Sequence, residues 1–426
     1  KKEKKLAVKQ INDVAAELLD LYSKRLTAVG YCHQKPQRDY EEFARSFPFE
    51  ETPDQEEAIK KVITDMSSKR PMDRLICGDV GFGKTEVAMR AAFIAVSSGK
   101  QVVVLVPTTL LARQHEETFK DRFANTAVSI SSISRFKSNS EQKRIIDDLM
   151  TGKIDIVIGT HSLLQENINF SDLGLLVVDE EHRFGVRQKE KINSLRAGID
   201  ILTMTATPIP RTLNMAISGL RDLSIIATPP ERRLSIKTFI NQKSDQIVKE
   251  AIQREILRGG QVFYLHNQVK TIEKTAIELQ RAIPEASVSI AHGQMREQQL
   301  EQVMLNFHRK TSNVLVCTTI IETGLDIPNA NPIIIERADK LGLAQIHQLR
   351  GRVGRSYHQA YAYLLTAPEE AMTPSAIKRL QAISESEDLG AGFILATHDL
   401  EIRGAGEILG DDQSGNIQNL GYSMFA

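Results

Sequence analysis

The chain has 426 residues, 41% of them hydrophobic and 25% charged, which is ordinary for a globular protein of two or three domains. Its 54 basic and 54 acidic residues cancel, so the net charge gives no support for long-range attraction to nucleic acid. The sequence contains no run of 18 apolar residues, so it predicts no membrane span. The cysteines, Cys32, Cys77 and Cys317, lack disulfide or metal-site spacing, and we expect a cytoplasmic protein with reduced thiols.

Periodic apolar residues over 6–26 predict an N-terminal amphipathic helix, which Gly30 and Pro36 end. From about residue 46, short apolar runs alternate with helical stretches, which predicts βαβ units and mostly parallel sheets. The proline-containing segment 228–233 has the composition of a linker, and the same alternation restarts after it. The predicted strands are Leu75–Cys77, Val102–Val106, Ile154–Ile158, Leu175–Val178, Ile201–Thr205, Val262–Leu265, Val288–Ala291, Val314–Cys317, Ile333–Ile335 and Tyr361–Leu365.

These patterns predict an α/β fold of two tandem parallel-sheet lobes, with a helix over about 375–389 and a glycine-rich loop or hinge over 390–416. Since one lobe carries a glycine loop, we expect a nucleotide site in the cleft between the two. The predicted regions are an N-terminal helix region over 1–45, the first lobe over 46–230, the second lobe over 231–370 and a C-terminal region over 371–426.

Residues 78–85, Gly-Asp-Val-Gly-Phe-Gly-Lys-Thr, fit the phosphate-binding pattern G-x-x-x-x-G-K-[ST] and lie between an apolar run and a helical pattern. In this context backbone N–H groups cradle phosphates, Lys84 reaches the β- and γ-phosphates, and Thr85 holds Mg²⁺. The sequence therefore predicts a nucleoside triphosphate site. Its members are Gly78, Asp79, Val80, Gly81, Phe82, Gly83, Lys84 and Thr85.

An apolar run ends in Asp179 and Glu180, which places two carboxylates at the carboxyl end of a strand. Asp179 is expected to bind Mg²⁺ through water, and Glu180 to orient or deprotonate the attacking water. His182 is a γ-phosphate sensor, a coupling residue that links to the neighbouring motif, or a structural histidine. After the next strand, Thr205 and Thr207 are expected to relay hydrogen bonds to the second lobe; the alternative is a strand end terminated by proline.

Residues 348–355 read Gln-Leu-Arg-Gly-Arg-Val-Gly-Arg. Arginines three apart share a helix face, and guanidinium groups pair bidentately with phosphate oxygens. Arg352 and Arg355 are therefore predicted arginine fingers, worth about 10³ to 10⁵ in turnover, and Gln348 is assigned a coupling role. A basic surface helix is the alternative.

Three residues in two further segments complete the predicted nucleotide site. Gln55 is the predicted adenine reader, because an amide offers both a donor and an acceptor. After the strand that ends at Cys317, Gly324 allows close backbone approach, and Asp326 is expected to contact ribose or the arginines. A turn without function is the alternative for this second segment.

Taken together and in this order, the motifs resemble those of superfamily-two helicases and translocases. Residues 78–85, 179–186, 205–213, 317–328 and 349–356 resemble the translocase module of bacterial transcription-repair coupling factors. The resemblance extends to the tail, where 389–392 and 397–407 are similar to the translocation motif of that family, and to 13–20, which is similar to its relay helix.

The resemblance implies two RecA-like lobes that bind ATP and Mg²⁺, an N-terminal linker helix and a C-terminal translocation hairpin. It implies a double-stranded DNA translocase, the motor of transcription-coupled repair that displaces stalled RNA polymerase. Polymerase and excision-repair proteins would bind through domains without a counterpart here, so we expect a fragment. Arg403 is implied in coupling. The implied DNA contacts are Thr108, Thr109, Arg113, Thr160, His161, Asn267, His292, Gly293, Gln294, Thr318 and Thr319.

Two other functions compete with this interpretation. A RecG-like branch-migration helicase shares many of the motifs, but no wedge domain is visible between them. An ATP-switched interaction module would not need the hydrolytic set of Glu180 and the paired arginines.

Overall fold

The computed structural model describes residues 23, 27–134, 137–165, 168–195, 198–206, 221–230, 234–323, 327–354 and 358–385. The described residues form two compact units. The first unit contains the described residues up to Gly78 and those of Phe82–Thr228. The second contains Asp79–Gly81 and the described residues from Pro229 onwards.

The first unit is built on one parallel sheet. Its described strands are β1 (Asp73–Gly78), β2 (Gln101–Leu105), β3 (Ile130–Ile133), β4 (Ile156–Gly159), β5 (Leu173–Asp179), β6 (Asp200–Thr205) and β7 (Asp222–Ile226). They pair in the order β3-β4-β2-β5-β6-β1-β7, and every pair is parallel. Strands β1, β2, β4 and β6 are buried at every residue, as expected for a sheet covered on both faces.

Helices connect these strands. The described helices are α1 (Gln37–Arg45), α2 (Pro53–Met66), α3 (Lys84–Ser97), α4 (Thr109–Arg122), α5 (Asn139–Met150) and α6 (Val186–Leu195), with 3-10 helices at His161–Leu164 and Glu181–Arg183. Local sequence sets the start of α2, where Thr52 and Gln55 form a capping box and Pro53 occupies the first turn. The capping box fixes the position of this helix end, which lies against the glycine loop of residues 78–85.

The described part of the second unit is built on a six-stranded parallel sheet. Its described strands are β8 (Lys237–Gln242), β9 (Gln261–Leu265), β10 (Val288–Ala291), β11 (Val314–Cys317), β12 (Ala330–Glu336) and β13 (Tyr361–Thr366). Its described helices are α7 (Asp245–Leu257), α8 (Val269–Ala282), α9 (Glu297–His308), α10 (Leu343–Arg350) and α11 (Pro374–Glu385), with 3-10 helices at Thr319–Thr323, Ala338–Lys340 and Glu369–Ala371. The strand order is β10-β11-β9-β12-β13-β8.

The two sheets repeat one plan, because β8 to β13 take the order that β1 to β6 take in the first unit. The repeat extends to side chains. Gln101 and Gln261 begin corresponding strands, are both buried, and each donate from Nε2 to two backbone carbonyls at 2.6–2.9 Å. Glu180 and Arg337 follow corresponding strands, and both adopt the left-handed conformation before a 3-10 helix. The units therefore match in strand order and at these two pairs of positions.

At the carboxyl end of the second sheet, an ion-paired cluster occupies the place that corresponds to the glycine loop and Asp179. Lys243 follows β8, and its amine pairs with the carboxylate of Glu336, the last residue of β12. His266 Nδ1 lies 2.5 Å from the other oxygen of that carboxylate. Burial alone would raise the pKa of Glu336, but Lys243 and His266 hold it below its usual value.

The ten predicted strands are confirmed as elements of two parallel-sheet lobes. Two boundaries were wrong, since β2 ends before Val106 and β4 begins after Ile154. Strands β3, β7 and β8 were missed. The helix predicted from 375 is present as α11, while the segment 390–416 and nearly all of 6–26 lie outside the described residues. Within the described ranges, no helix has the length and hydropathy needed to cross a bilayer.

Candidate functional site

The glycine loop joins the carboxyl end of β1 to the first turn of α3. Gly81 and Gly83 have φ of 81° and 74°, a left-handed conformation that suits glycine and turns successive N–H groups inward. Gly83 is the N-cap of the 14-residue α3 and has no side chain to satisfy the first N–H groups of the helix. Lys84 Nζ donates to the carbonyl of Gly78 at 2.5 Å, and Thr85 follows it. Backbone donors, an amine and a hydroxyl fit a triphosphate with Mg²⁺.

Gln55 ties α2 to the glycine loop. Its side chain is 4% exposed, its Oε1 accepts from Thr52 N at 3.0 Å, and its Nε2 donates to the Phe82 carbonyl at 2.9 Å. A Cβ at Gly83 would lie 2.4 Å from that Nε2. The amide thus positions the loop, and its reading of adenine stays a prediction. Of the other loop residues, Asp79, Val80 and Phe82 are buried.

The Glu180 carboxylate is fixed by two hydrogen bonds from the end of the neighbouring strand. Glu180 is 7% exposed and has φ 51° and ψ 55°, a left-handed conformation that costs roughly 1–2 kcal/mol outside glycine. Its Oε2 accepts from Thr205 Oγ1 at 2.9 Å, and its Oε1 accepts from Ala206 N at 3.2 Å. Such over-determined strain is common at functional sites. The predicted pairing of motifs is present as a contact, and the relay to the second lobe stays a prediction.

Two histidines flank the acidic strand end. His115, on α4, has Nε2 at 3.3 Å from Asp179 Oδ2 and is 8% exposed. His182 Nδ1 lies 3.4 Å from Glu180 Oε2. Burial lowers the pKa of His182 despite the opposing effect of Glu180, so this imidazole is neutral at neutral pH. His115 was missed by the sequence reasoning because no spacing marks it, whereas α4 brings it across 64 residues of chain.

A second residue that the sequence reasoning missed is Arg221, which is 3% exposed. Its Nη1 lies 2.9 Å from Glu181 Oε2, and its Nε lies 3.0 Å from Asp73 Oδ1. Arg221 also donates to Thr203 Oγ1. The two adjacent glutamates therefore have separate partners, with Glu180 bound to Thr205 and Glu181 bound to this buried arginine.

The predicted DNA contacts of the first unit follow the adjacent strands β2 and β4. Thr108 accepts from Leu111 N at 3.3 Å and so caps α4, and Thr109 is 4% exposed. Thr160 and His161 begin the turn after β4. Arg113 pairs with Glu117 at 3.1 Å on the exposed side of α4. The sheet brings both strand ends to one edge.

In the second unit the predicted DNA contacts follow the neighbouring strands β9, β10 and β11, which correspond to β2, β3 and β4. Asn267, Gly293 and Gln294 are exposed, and His292 is half-buried. Thr318 and Thr319 lead from β11 into a 3-10 helix, and Thr318 is 8% exposed. The carboxyl edge of each sheet thus gathers the residues that the sequence selected.

Gln348 lies in the last turn of α10, and Arg352 lies just beyond the end of that helix. Arg352 is 3% exposed and donates from Nη2 to the Glu322 carbonyl at 2.5 Å, while Gln348 is 6% exposed. Their predicted roles in hydrolysis and coupling stay predictions. The remaining predicted residues, Thr207, Gly324, Asp326, Arg355 and Arg403, lie outside the described residues.

Comparison with known proteins agrees with this geometry. Residues 52–216 match the model of the DEAD/DEAH box helicase family, and residues 242–357 match that of the helicase conserved C-terminal domain. Together the two domains define a helicase-type enzyme of the superfamily-two class, whose members use ATP with Mg²⁺.

The chain is 64% identical over 424 residues to the transcription-repair-coupling factor of Haemophilus influenzae, covering 100% of this chain and 37% of that protein. It is likewise 64% identical over 419 residues to that of Escherichia coli, covering 98% and 36%. A solved structure of RecG bound to a three-way DNA junction is 34% identical, with a TM-score of 0.79, over 95% of this chain and 53% of that one. The chain belongs to the transcription-repair-coupling factor family, and it spans little more than a third of these relatives' length.

Proposed function

We propose that this chain is an ATP-driven motor that moves along double-stranded DNA, and that in the whole protein it displaces stalled RNA polymerase and so serves DNA repair. The observation that carries the proposal is the repeat. Two units that share the order of six strands carry selected polar residues at the carboxyl ends of the corresponding strands β2 and β9 and of β4 and β11, whereas the glycine loop follows β1 and Lys243 follows β8.

The first unit has the groups that hydrolysis needs. ATP with Mg²⁺ supplies the phosphoanhydride whose cleavage drives the cycle. Lys84 and the N–H groups of the loop would hold phosphate oxygens, and Thr85 and Asp179 would hold the metal ion. Glu180 accepts the proton of the attacking water, in an orientation set by its hydrogen bonds from Thr205 and Ala206. Arg352 and Arg355 are proposed to stabilise the charge of the transition state.

Grip on DNA is proposed to come from the two matched sheet edges. Hydroxyl, amide and imidazole donors bind phosphate oxygens and position a protein on the duplex without reading its sequence. The two sheet edges bind and release the DNA backbone in turn as ATP is hydrolysed in the first unit. This alternation moves the chain along the duplex.

Displacement of a third strand from a blunt triplex, with ATP, tests this proposal. We expect the native chain to release the strand and Glu180→Gln to release none. Glu57→Gln makes the same chemical change at an exposed pair with Lys61 and should match the native chain. Absence of both displacement and duplex-stimulated ATPase from the native chain would refute the proposal.

A branch-migration activity is the second candidate, favoured by the likeness to the RecG structure. A forked duplex with one labelled strand separates the two candidates. Release of that strand by the native chain, without triplex displacement from a blunt duplex, would support branch migration in place of translocation.

A further inference from the structure

Asp54 makes a contact that the nucleotide site does not explain. One oxygen, Oδ2, accepts three hydrogen bonds, from Ala227 N at 2.9 Å, Thr228 N at 2.7 Å and Thr228 Oγ1 at 2.7 Å. Burial alone would raise the pKa of Asp54, but these hydrogen bonds hold it below its usual value. The carboxylate is therefore ionised at neutral pH and binds consecutive N–H groups as an anion.

The three donors lie where the chain leaves the first unit. Strand β7 ends at Ile226, Thr228 is the last residue of the central segment of that unit, and Pro229 begins the second unit. Ile226 is paired in register with Gly78, the first residue of the glycine loop. We call Ala227 and Thr228, through which the chain leaves the first unit, the exit. The exit therefore lies beside the start of the glycine loop.

The exit is also stiff. Pro229 and Pro230 fix their own φ angles and lack N–H donors, and a residue before proline is held in extended conformations. Once Asp54 fixes the backbone of Ala227 and Thr228, few torsions are left to vary before the second unit begins.

Asp54 adjoins Gln55 in the first turn of α2, so one helix end contacts both the glycine loop and the exit. Gln55 Nε2 holds the Phe82 carbonyl of the loop, and Asp54 Oδ2 holds Thr228. A change of the loop on nucleotide binding that moves this helix end also moves the exit. The capping box of Thr52 and Gln55 makes the helix end a stiff link between the two contacts.

We propose that Asp54 is a positioning residue that couples the nucleotide site to the second unit, by fixing the exit at Ala227 and Thr228 to the helix end that holds the glycine loop. The proposal rests on the function proposed above, since it concerns how hydrolysis is converted into movement. Asp54 itself is not expected to touch nucleotide or DNA.

The test compares Asp54→Ala, Thr228→Val and a matched control, Glu56→Gln, which removes a charge from the same helix turn at an exposed position. We expect ATPase without DNA to stay within about twofold for all three variants, and base pairs moved per ATP to fall at least about fivefold for the first two, the scale of a lost charge-assisted hydrogen bond. Unchanged movement per ATP in both Asp54→Ala and Thr228→Val would overturn the proposal.

Amide exchange of the peptide over 221–230 gives a readout that does not depend on movement. Asp54→Ala should speed exchange at the two amides by about tenfold or more, and a nonhydrolysable ATP analogue should change their exchange in the native chain but not in Asp54→Ala. An analogue effect that survives in Asp54→Ala would overturn the inference. If the native chain moves no DNA, the proposed function fails, and this exchange measurement alone decides the role of Asp54.

Discussion

Replacement of Thr205 by valine tests the link between the acidic strand end and the neighbouring strand. The hydroxyl donates to Glu180 Oε2 at 2.9 Å, and both residues are buried, at 4% and 7% exposure. Valine keeps the shape and removes the donor, so the loss is that of a buried hydrogen bond to a charged group, about 1.5–3 kcal/mol. For a domain of this size that lowers the midpoint of thermal unfolding by about 3–12 °C.

The same bond orients the carboxylate that is proposed to accept the proton of the attacking water, so kcat should fall by about 10- to 100-fold if the full bond energy is needed in the transition state. Thermal unfolding and steady-state ATPase are the assays. Thr205→Ser should keep kcat while losing some stability with the buried methyl group. In a Glu180→Gln background, Thr205→Val should lower the midpoint of thermal unfolding clearly less than it does in the native chain. A native-like kcat for Thr205→Val, or equal losses of kcat for serine and valine, would refute the reasoning.

Three further outcomes are expected. Gly83→Ala forces a left-handed alanine whose Cβ meets Gln55 Nε2, and should destabilise the first unit by about 2–4 kcal/mol in urea unfolding and abolish nucleotide binding. Arg352→Ala should lower kcat by about 10³ or more while changing the Kd for ATP little, as measured by single-turnover hydrolysis and equilibrium binding. The pKa of Glu336 is lower in the folded state than in the unfolded state, so this carboxylate stabilises the fold fully above the unfolded pKa of about 4.3. The stabilisation is lost as the pH falls through the folded pKa. Glu336→Gln should therefore make the free energy of unfolding depend less steeply on pH in the acid range.

Continuous apolar runs made the central strands predictable, whereas the missed strands β3, β7 and β8 lie at sheet edges and lack them. Strand β2 is buried at all five residues and reads as unbroken valine and leucine. Strand β3 is only partly buried at Ile130 and Ser131, and β8 is at least partly exposed along its whole length, because each lies at an edge of its sheet. Their mixed polar sequence follows from pairing on one side and facing solvent on the other.

The candidate site divides in the same way between local and long-range signals. Lys84 and Glu180 are marked by neighbours in sequence, since the loop and the strand end are local structures. His115, Arg221 and Asp54 are placed by the fold, with partners 64, 40 and 173 or 174 residues away. No spacing rule carries such contacts, because they depend on the order in which the strands pair.

The ion-paired cluster of the second unit has a consequence for binding stoichiometry. Where the first unit offers backbone N–H groups and Asp179 to a nucleotide, the second offers the Lys243 amine already neutralised by the Glu336 carboxylate. An entering phosphate would have to separate this pair and face the freed carboxylate. We therefore expect one nucleotide for each chain at saturation, so that in the proposed cycle a single hydrolysis event would drive both matched edges through each step.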